Sequence, residues 1–175
     1  AGIYLLLLFS PALAGQTLWS TLLIGAGLLT ALLGAVAALR RYDLKELLAY
    51  STMSQLGYLV ALIGIGTPAA LTAAIIHTIA HALFKSALFL AVGVIDHEAG
   101  TRDMRILTTR KMRMPATQTI IVLGAASMAG IPLLLGFVSK EALFDAFLGA
   151  PYPAALGVIL TAVVALIAVC TFAYS

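Results

Sequence analysis

Charge is what this sequence has least of. Of its 175 residues only 10% are Asp, Glu, Lys or Arg, against 62% that are hydrophobic. A soluble domain carries nearer a quarter charged residues. The chain therefore reads as an all-α polytopic membrane protein, not as a soluble domain with an anchor. Cysteine is almost absent. Cys170 is the single one, and it lies in an apolar run, which excludes an internal disulfide and a cysteine-based metal cluster. No phosphate-cradling glycine loop, redox motif or metal-ligand cluster stands out, so no cofactor is expected. Basic residues number ten against seven acids, but they sit in loops that flank apolar spans. The lipid bilayer is thus the expected partner, and nucleic acid is not. The opening AGIYLLLLF has neither an initiator Met nor a basic n-region. It reads as a helix entered part-way, as in a fragment of a longer chain.

What is present is a series of apolar segments. Residues 1–10 are too short to span and read as a half-helix ending at Ser10-Pro11. Residues 18–39 form a full span in which Gly25, Gly27, Ala31 and Gly34 permit close helix contact. A charged turn follows at 40–46. Residues 46–66 are the next span, and Thr67-Pro68 reverses the chain, with Pro68 suited to a first helical turn. Residues 71–95 are apolar, and 96–114 form a long hydrophilic loop. Pro115 opens a span to about residue 130. Ile131-Pro132 breaks it, 133–149 follow with Gly136 near the middle, and 154–174 close the series. The expected architecture is six spans plus one half-helix, with an interruption near 132–140. Of the ten Lys and Arg, three fall in 40–45 and five in 102–113. With that span count both basic loops share one side, and the loops at 11–17, 67–68 and 131–132 share the other and carry no positive charge. This positive-inside pattern assigns loops 40–46 and 96–114 to the cytoplasm.

The segment 71–95 organises the rest, because His77, His81 and Lys85 recur at helical i, i+4, i+8 spacing and fall on one stripe. A charged group at mid-membrane costs about 2.5–3.5 kcal/mol on insertion scales, so it faces polar partners or water and marks an ion path by default. Lys85 lies near mid-span, too deep for simple snorkelling, and a lysine beside two imidazoles can exchange protons. The histidine pair admits a proton relay, structural hydrogen bonding or shared ligation of a metal. The third reading lacks a carboxylate in the same span. Haem is excluded, since two axial histidines must lie on opposite faces of the ring.

Lys140 and Glu141 form the second charged site. Adjacent helical residues do not face each other, so one of them must seek a partner elsewhere; the alternative is a tilted helix with Lys140 near an interface. Pro132 and Gly136 point to a broken helix, whose ends offer backbone groups to ions. Ser51, Ser54, Gln55 and Tyr58 share one face of the 46–66 span and suit either packing or a hydrated path. Asp43 and Lys45 read, on composition alone, as a solvated turn, and His97 as an exposed residue.

Three stretches carry a resemblance: DLKELLAYSTMSQLGYL, HTIAHALFKSALFLAVGVI and GIPLLLGFVSKE. They resemble the antiporter-like subunits shared by Mrp-type multisubunit Na⁺/H⁺ antiporters and respiratory complex I, and the resemblance covers nearly the whole chain. IDHEAGTRDMRIL and SMAGIPLLLGF look most like the A-type branch of the Mrp antiporter subunits. The resemblance implies a core of two inverted repeats, with 1–40 ending the first and 43–175 forming the second. It implies a hydrated axis carrying Lys85, His77, His81 and Lys140, and it raises Asp43 and Lys45 to members of the path. The essential glutamate of that family and its paired lysine, both in the first repeat, have no counterpart here.

These readings converge on proton translocation coupled to Na⁺ export in a multisubunit antiporter of the bacterial inner membrane, with other subunits as partners. The chain is a transporter subunit more than an enzyme. One alternative is a proton-pumping subunit of an NADH–quinone oxidoreductase-type complex, without a redox centre of its own; another is a membrane scaffold that moves no ions. The Na⁺ route is not legible, because no mid-membrane cluster of oxygen ligands stands out.

Overall fold

The computed structural model describes residues 2–13, 15–108 and 114–175, with the backbone alone at 154 and 155. The chain runs through α1 (Gly2–Leu13), α2 (Thr17–Leu39), α3 (Leu44–Ile65), α4 (Pro68–Ala99), α5 (Met104–Leu107), α6 (Pro115–Ala129), α7 (Leu135–Leu148) and α8 (Ala154–Tyr174). Among the described residues there is no strand, only an isolated bridge between Asp43 and Asp103. Helices α2, α3, α4 and α8 are long and apolar enough to cross a membrane.

The ends follow from local chemistry. Asp43 caps α3 by accepting from the backbone N–H groups of Lys45 and Glu46 at 2.8 and 3.1 Å, as an N-cap carboxylate should. Gly66 ends α3 at φ 72°. Thr67 caps α4 through the Ala70 N–H, with Pro68 in the first turn. The expectation that the central helix stops at Ile95 is corrected. Asp96, His97 and Glu98 continue it, and Gly100 ends it at φ 65°. Polar residues there mark the exit from hydrocarbon, not the end of the helix; the first residue suited to a left-handed cap is Gly100. At 32 residues, α4 is about 48 Å long against a hydrocarbon core of about 30 Å, so it extends beyond the bilayer. The hydrophilic loop accordingly begins at Gly100 and contains α5. Its residues Arg110, Lys111 and Arg113 lie outside the described residues. Helix α1 likewise runs past Ser10, through Pro11, to Leu13.

Helices α2 and α3 meet along small residues. A Cβ on Gly27 would stand 2.6 Å from the Ala61 nitrogen, one on Gly34 would stand 2.7 Å from that of Ser54, and one on Gly57 would stand 2.5 Å from that of Ala31. Ala31, Ala35, Ala38 and Ala61 are fully buried in the same seam. Gly25 is not part of it and faces open space.

The two basic loops are joined. The Leu44 N–H donates to the Arg102 carbonyl at 3.1 Å, and the Met104 N–H donates to that of Tyr42 at 3.0 Å. Arg102 also reaches Asp43 at 3.3 Å and Asp96 at 3.8 Å. Loops 40–43 and 100–104 therefore lie at the same end of the bundle. In α5, hydrogen bonds from Arg105 hold the Asp103 carboxyl below the usual carboxylate range.

Helices α6 and α7 run in the same direction. Gly124 lies against Leu88, the Gly136 N–H donates to Ser127 Oγ at 3.3 Å, Lys140 reaches the Ala129 carbonyl, and Ser139 meets His77. Rising numbers in α6 and α7 thus pair with falling numbers along α4. The six expected apolar segments are all helical, but 115–129 and 135–148 are two halves of one interrupted crossing. The break at 131–132, expected at the far face of the membrane, lies part-way along that crossing. Gly130 ends α6 at φ 86°. Leu133 holds φ 78° with its side chain wholly exposed, a left-handed conformation that costs a non-glycine residue about 1–3 kcal/mol. The α8 helix then returns antiparallel to α3, with the Tyr58 hydroxyl donating to the Val164 carbonyl at 3.0 Å.

Candidate functional site: a buried polar row between α3, α4, α7 and α8

The stripe on α4 turns inward. Lys85 is 4% exposed and His77 1%, while His81 is half-buried. Ile75, Ile79, Leu83 and Leu90 on the opposite side are exposed and apolar, as suits a lipid-facing surface. The stripe meets the polar face of α3, where Ser51, Ser54 and Gln55 are fully buried.

Each group has defined partners. Lys85 Nζ donates to the Leu48 carbonyl at 3.3 Å and, more closely, to Ser51 Oγ. The Ser51 and Thr52 hydroxyls donate to the same carbonyl at 3.0 and 2.7 Å, so α3 presents one crowded acceptor to the lysine. His77 is held between helices, with Nε2 3.0 Å from Gln55 Oε1 on α3 and Nδ1 3.2 Å from Ser139 Oγ on α7. Both ring nitrogens are thus engaged, which leaves neither for a metal in this arrangement. The His77 and His81 rings lie 6.4 Å apart. His81 Nε2 is buried without a hydrogen-bond partner among the described residues. Such an atom costs about 1–3 kcal/mol unless water meets it, so this point of the row calls for solvent.

Lys140 stands at the break. Its Nζ donates to the carbonyl of Ala129, the last residue of α6, at 2.9 Å, and its stem lies across Gly130. The carbonyl end of a helix carries partial negative charge and favours a cation. The break therefore supplies the lysine with both an acceptor and a favourable field.

The other expected residues lie elsewhere. Asp43 is the α3 cap and binds Arg102, and Lys45 is exposed beside it; both sit at the basic end, about 5–8 Å along the helix axis from Leu48. Glu141 is exposed on the face of α7 away from His77 and Ser139. Sequence reasoning missed Ser139, Thr171 and Tyr174. Gln55 Nε2 donates to Thr171 Oγ1 at 3.5 Å, and the Tyr174 hydroxyl donates to the same oxygen at 3.1 Å. The available signal was polar residues in otherwise apolar segments, Thr171 in the last span and Ser139 beside Lys140.

The transmembrane model of the NADH:quinone oxidoreductase/Mrp antiporter family matches residues 1–168. The chain is 50% identical over 144 residues to a protein of Rhizobium meliloti named as the A/B component of a probable K⁺/H⁺ antiporter, covering 82% of this chain and 14% of that one. It is 46% identical over 164 residues to the A component of the Na⁺/H⁺ antiporter of Alkalihalophilus pseudofirmus, covering 86% and 20%. Among solved structures, the Mrp complex from Dietzia sp. DQ12-45-1b superposes with a TM-score of 0.90 at 59% identity, over 99% of this chain and 19% of the matched one. The chain thus spans a fifth or less of the length of these relatives.

Proposed function

The chain belongs to the transmembrane family of NADH:quinone oxidoreductases and Mrp antiporters, and from that premise we propose that it carries part of the proton path of a multisubunit cation/proton antiporter. The observation that carries this reading is the row Lys85–His81–His77–Ser139–Lys140, in which Lys85, His77 and Ser139 are buried and His81 and Lys140 half-buried, with charged groups at both ends and exchangeable imidazoles between them. Lys85 exchanges a proton with His81 and His77, and water at His81 Nε2 bridges what the side chains do not span. From His77 the proton passes along Ser139 to Lys140, whose ammonium is stabilised at the carbonyl end of α6. A charge placed on one lysine disfavours a charge on the next, so protons advance singly. Asp43 and Lys45 mark the basic end, assigned to the cytoplasm, where the path meets that side. Glu141 points away from the row and takes no step in it.

Coupling to Na⁺ export follows the naming of the relative from Alkalihalophilus pseudofirmus. K⁺ is the second reading, favoured by the relative from Rhizobium meliloti. The test is cation-dependent proton flux in everted membrane vesicles carrying the full-length protein and its partner subunits. Lys85→Ala and Lys140→Ala are each expected to lower the flux by about a hundredfold, the usual loss on removing a proton-transfer group, with assembly intact. Undiminished flux in an assembled Lys85→Ala complex eliminates the relay and favours a scaffold.

A further inference from the structure

The hydrogens around His77 can be counted. Ser139 has one hydroxyl hydrogen and two neighbours that would take it, the Gly136 carbonyl at 2.9 Å and His77 Nδ1 at 3.2 Å. Thr171 also has one, directed at the Ile167 carbonyl at 2.9 Å, and its oxygen accepts from Gln55 Nε2 and the Tyr174 hydroxyl. Gln55 lies between the two, with its amide oxygen on His77 and its amide nitrogen on Thr171. An amide oxygen only accepts, so His77 Nε2 must carry a hydrogen in this arrangement. If Ser139 keeps its bond to Gly136, Nδ1 must carry one too. The ring is then an imidazolium, and each of these pairs matches a donor with an acceptor.

Neutral His77 changes the match in one of two ways. With the hydrogen on Nε2, the Ser139 hydroxyl turns from the Gly136 carbonyl, which lies within α7 and keeps its helical donor, to Nδ1, and Gln55 stays as it is. With the hydrogen on Nδ1, two lone pairs face each other across the 3.0 Å between Nε2 and Gln55 Oε1. Turning the Gln55 amide over repairs the second case. Its N–H then donates to Nε2, and its oxygen accepts the Thr171 hydroxyl hydrogen, which leaves the Ile167 carbonyl. The amide's two ends are nearly equal in size, so the inversion leaves packing unchanged. Gln55 and Thr171 are fully buried, and water does not compete for these bonds.

We propose that Gln55 is a positioning residue that inverts its side-chain amide when His77 Nε2 gains or loses its proton, and so transmits the charge state of His77 to Thr171 and Tyr174 on α8. The inference rests on the reading that His77 takes up protons. The step balances as follows: the Nε2–H bond breaks, the proton passes to the solvent inferred at His81 Nε2, and the amide N–H fills the lone pair it leaves; a proton that departs through Nδ1 and Ser139 leaves Nε2–H in place and the amide unturned. The titratable groups that act on His77 are His81 on α4 and Lys140 on α7, with Tyr58 of α3 at its edge; Lys85 acts on His81, Tyr174 and Cys170 of α8 act on Tyr58, and α6 contributes none. The Tyr58 ring stands edge-on at 6.5 Å.

The test is pH-difference infrared spectroscopy on the assembled full-length complex in lipid, alongside the flux assay. The wild type is expected to show glutamine amide bands that shift with the imidazolium bands. Both sets should vanish in His77→Asn, and the amide bands alone in Gln55→Leu. Gln55→Glu keeps the shape but accepts at both ends, so inversion changes nothing; the pH midpoint of its flux should move by about one unit. Where Gln55→Leu does not assemble, the loss of the amide bands in Gln55→Glu carries the test, since its carboxylate moves the pH midpoint by charge alone. Amide bands that persist in His77→Asn, or a pH profile in Gln55→Glu identical to wild type, overturn the switch. Full flux in His77→Asn overturns the relay itself, which the spectra then register separately.

Discussion

Substituting Gly57 by alanine tests whether the α2–α3 seam is as close as described. The added Cβ would stand 2.5 Å from both the Ala31 nitrogen and the Gly27 carbonyl oxygen, and 2.8 Å from the Ala31 Cα. Comfortable carbon contacts lie at about 3.5–4.0 Å, so the helices would have to part by roughly 1 Å. No rotamer can give way, because every obstructing atom is backbone. Gly27 and Gly34 approach the partner helix just as closely, so parting at Gly57 opens the seam along its length. Overpacking of this kind costs about 1–3 kcal/mol, and the upper half of that range applies here. The helix-propensity gain from Gly to Ala, about 1 kcal/mol at most, offsets part of it. The net expectation is a loss of about 1–2 kcal/mol. Gly25→Ala is the control, because it adds a methyl group on the same helix pair where nothing lies within 4 Å. The measurement is the thermal unfolding midpoint of the solubilised full-length complex for both variants. Gly57→Ala should melt clearly lower than wild type and Gly25→Ala should not. Equal midpoints would refute the seam. A second substitution, Gly27→Ala, should add less in the Gly57→Ala background than alone, because the gap is already open.

Two further outcomes are expected. Leu133→Gly removes a left-handed non-glycine residue whose side chain touches little, so it should raise stability by about 1 kcal/mol; an unchanged or lower midpoint would show that the break is not strained. Asp43→Ala removes the α3 cap and the Arg102 contact. It should cost about 1 kcal/mol, nearly all from the cap, with Asp43→Asn recovering most of it; equal losses in both variants would assign the effect to the ion pair.

The helical segments and the polar stripe on α4 were legible because both depend on local pattern: apolar length for the first, 3.6-residue periodicity for the second. The pairing of 115–129 and 135–148 into one crossing was not. Each half is apolar and about as long as a short span, and hydropathy carries no direction. Direction comes from Gly124 against Leu88 and Lys140 against Ala129, contacts between residues distant in sequence. The end of α4 was misread for a related reason, since Asp96–Glu98 change the polarity of the helix without ending it. At the site, Lys85, His77, His81 and Lys140 announced themselves as ionisable groups in hydrocarbon. Ser139 and Thr171 did not, because a hydroxyl in a span is commonplace, and Gln55 stood out only as part of a polar face suited to packing or to a hydrated path. Their weight comes from a chain of contacts: Ser139 and Gln55 meet the His77 imidazole, and Gln55 reaches on to Thr171, 116 positions away.

In the proposed path Lys140 is at once a partner of a helix end and a carrier of charge. Its ammonium terminates α6 as a cap residue would, reaching back across Gly130 to the Ala129 carbonyl. A proton leaving this lysine therefore changes the electrical environment of a backbone terminus as well as of a side chain. The carbonyl end of α6, still bonded to the neutral amine but without its ammonium, then favours the return of positive charge. Within the proposed path, that makes the break an electrostatic sink that refills itself. The direction of refilling is fixed by which way α6 points, a property of the fold that no single substitution along the row can reverse.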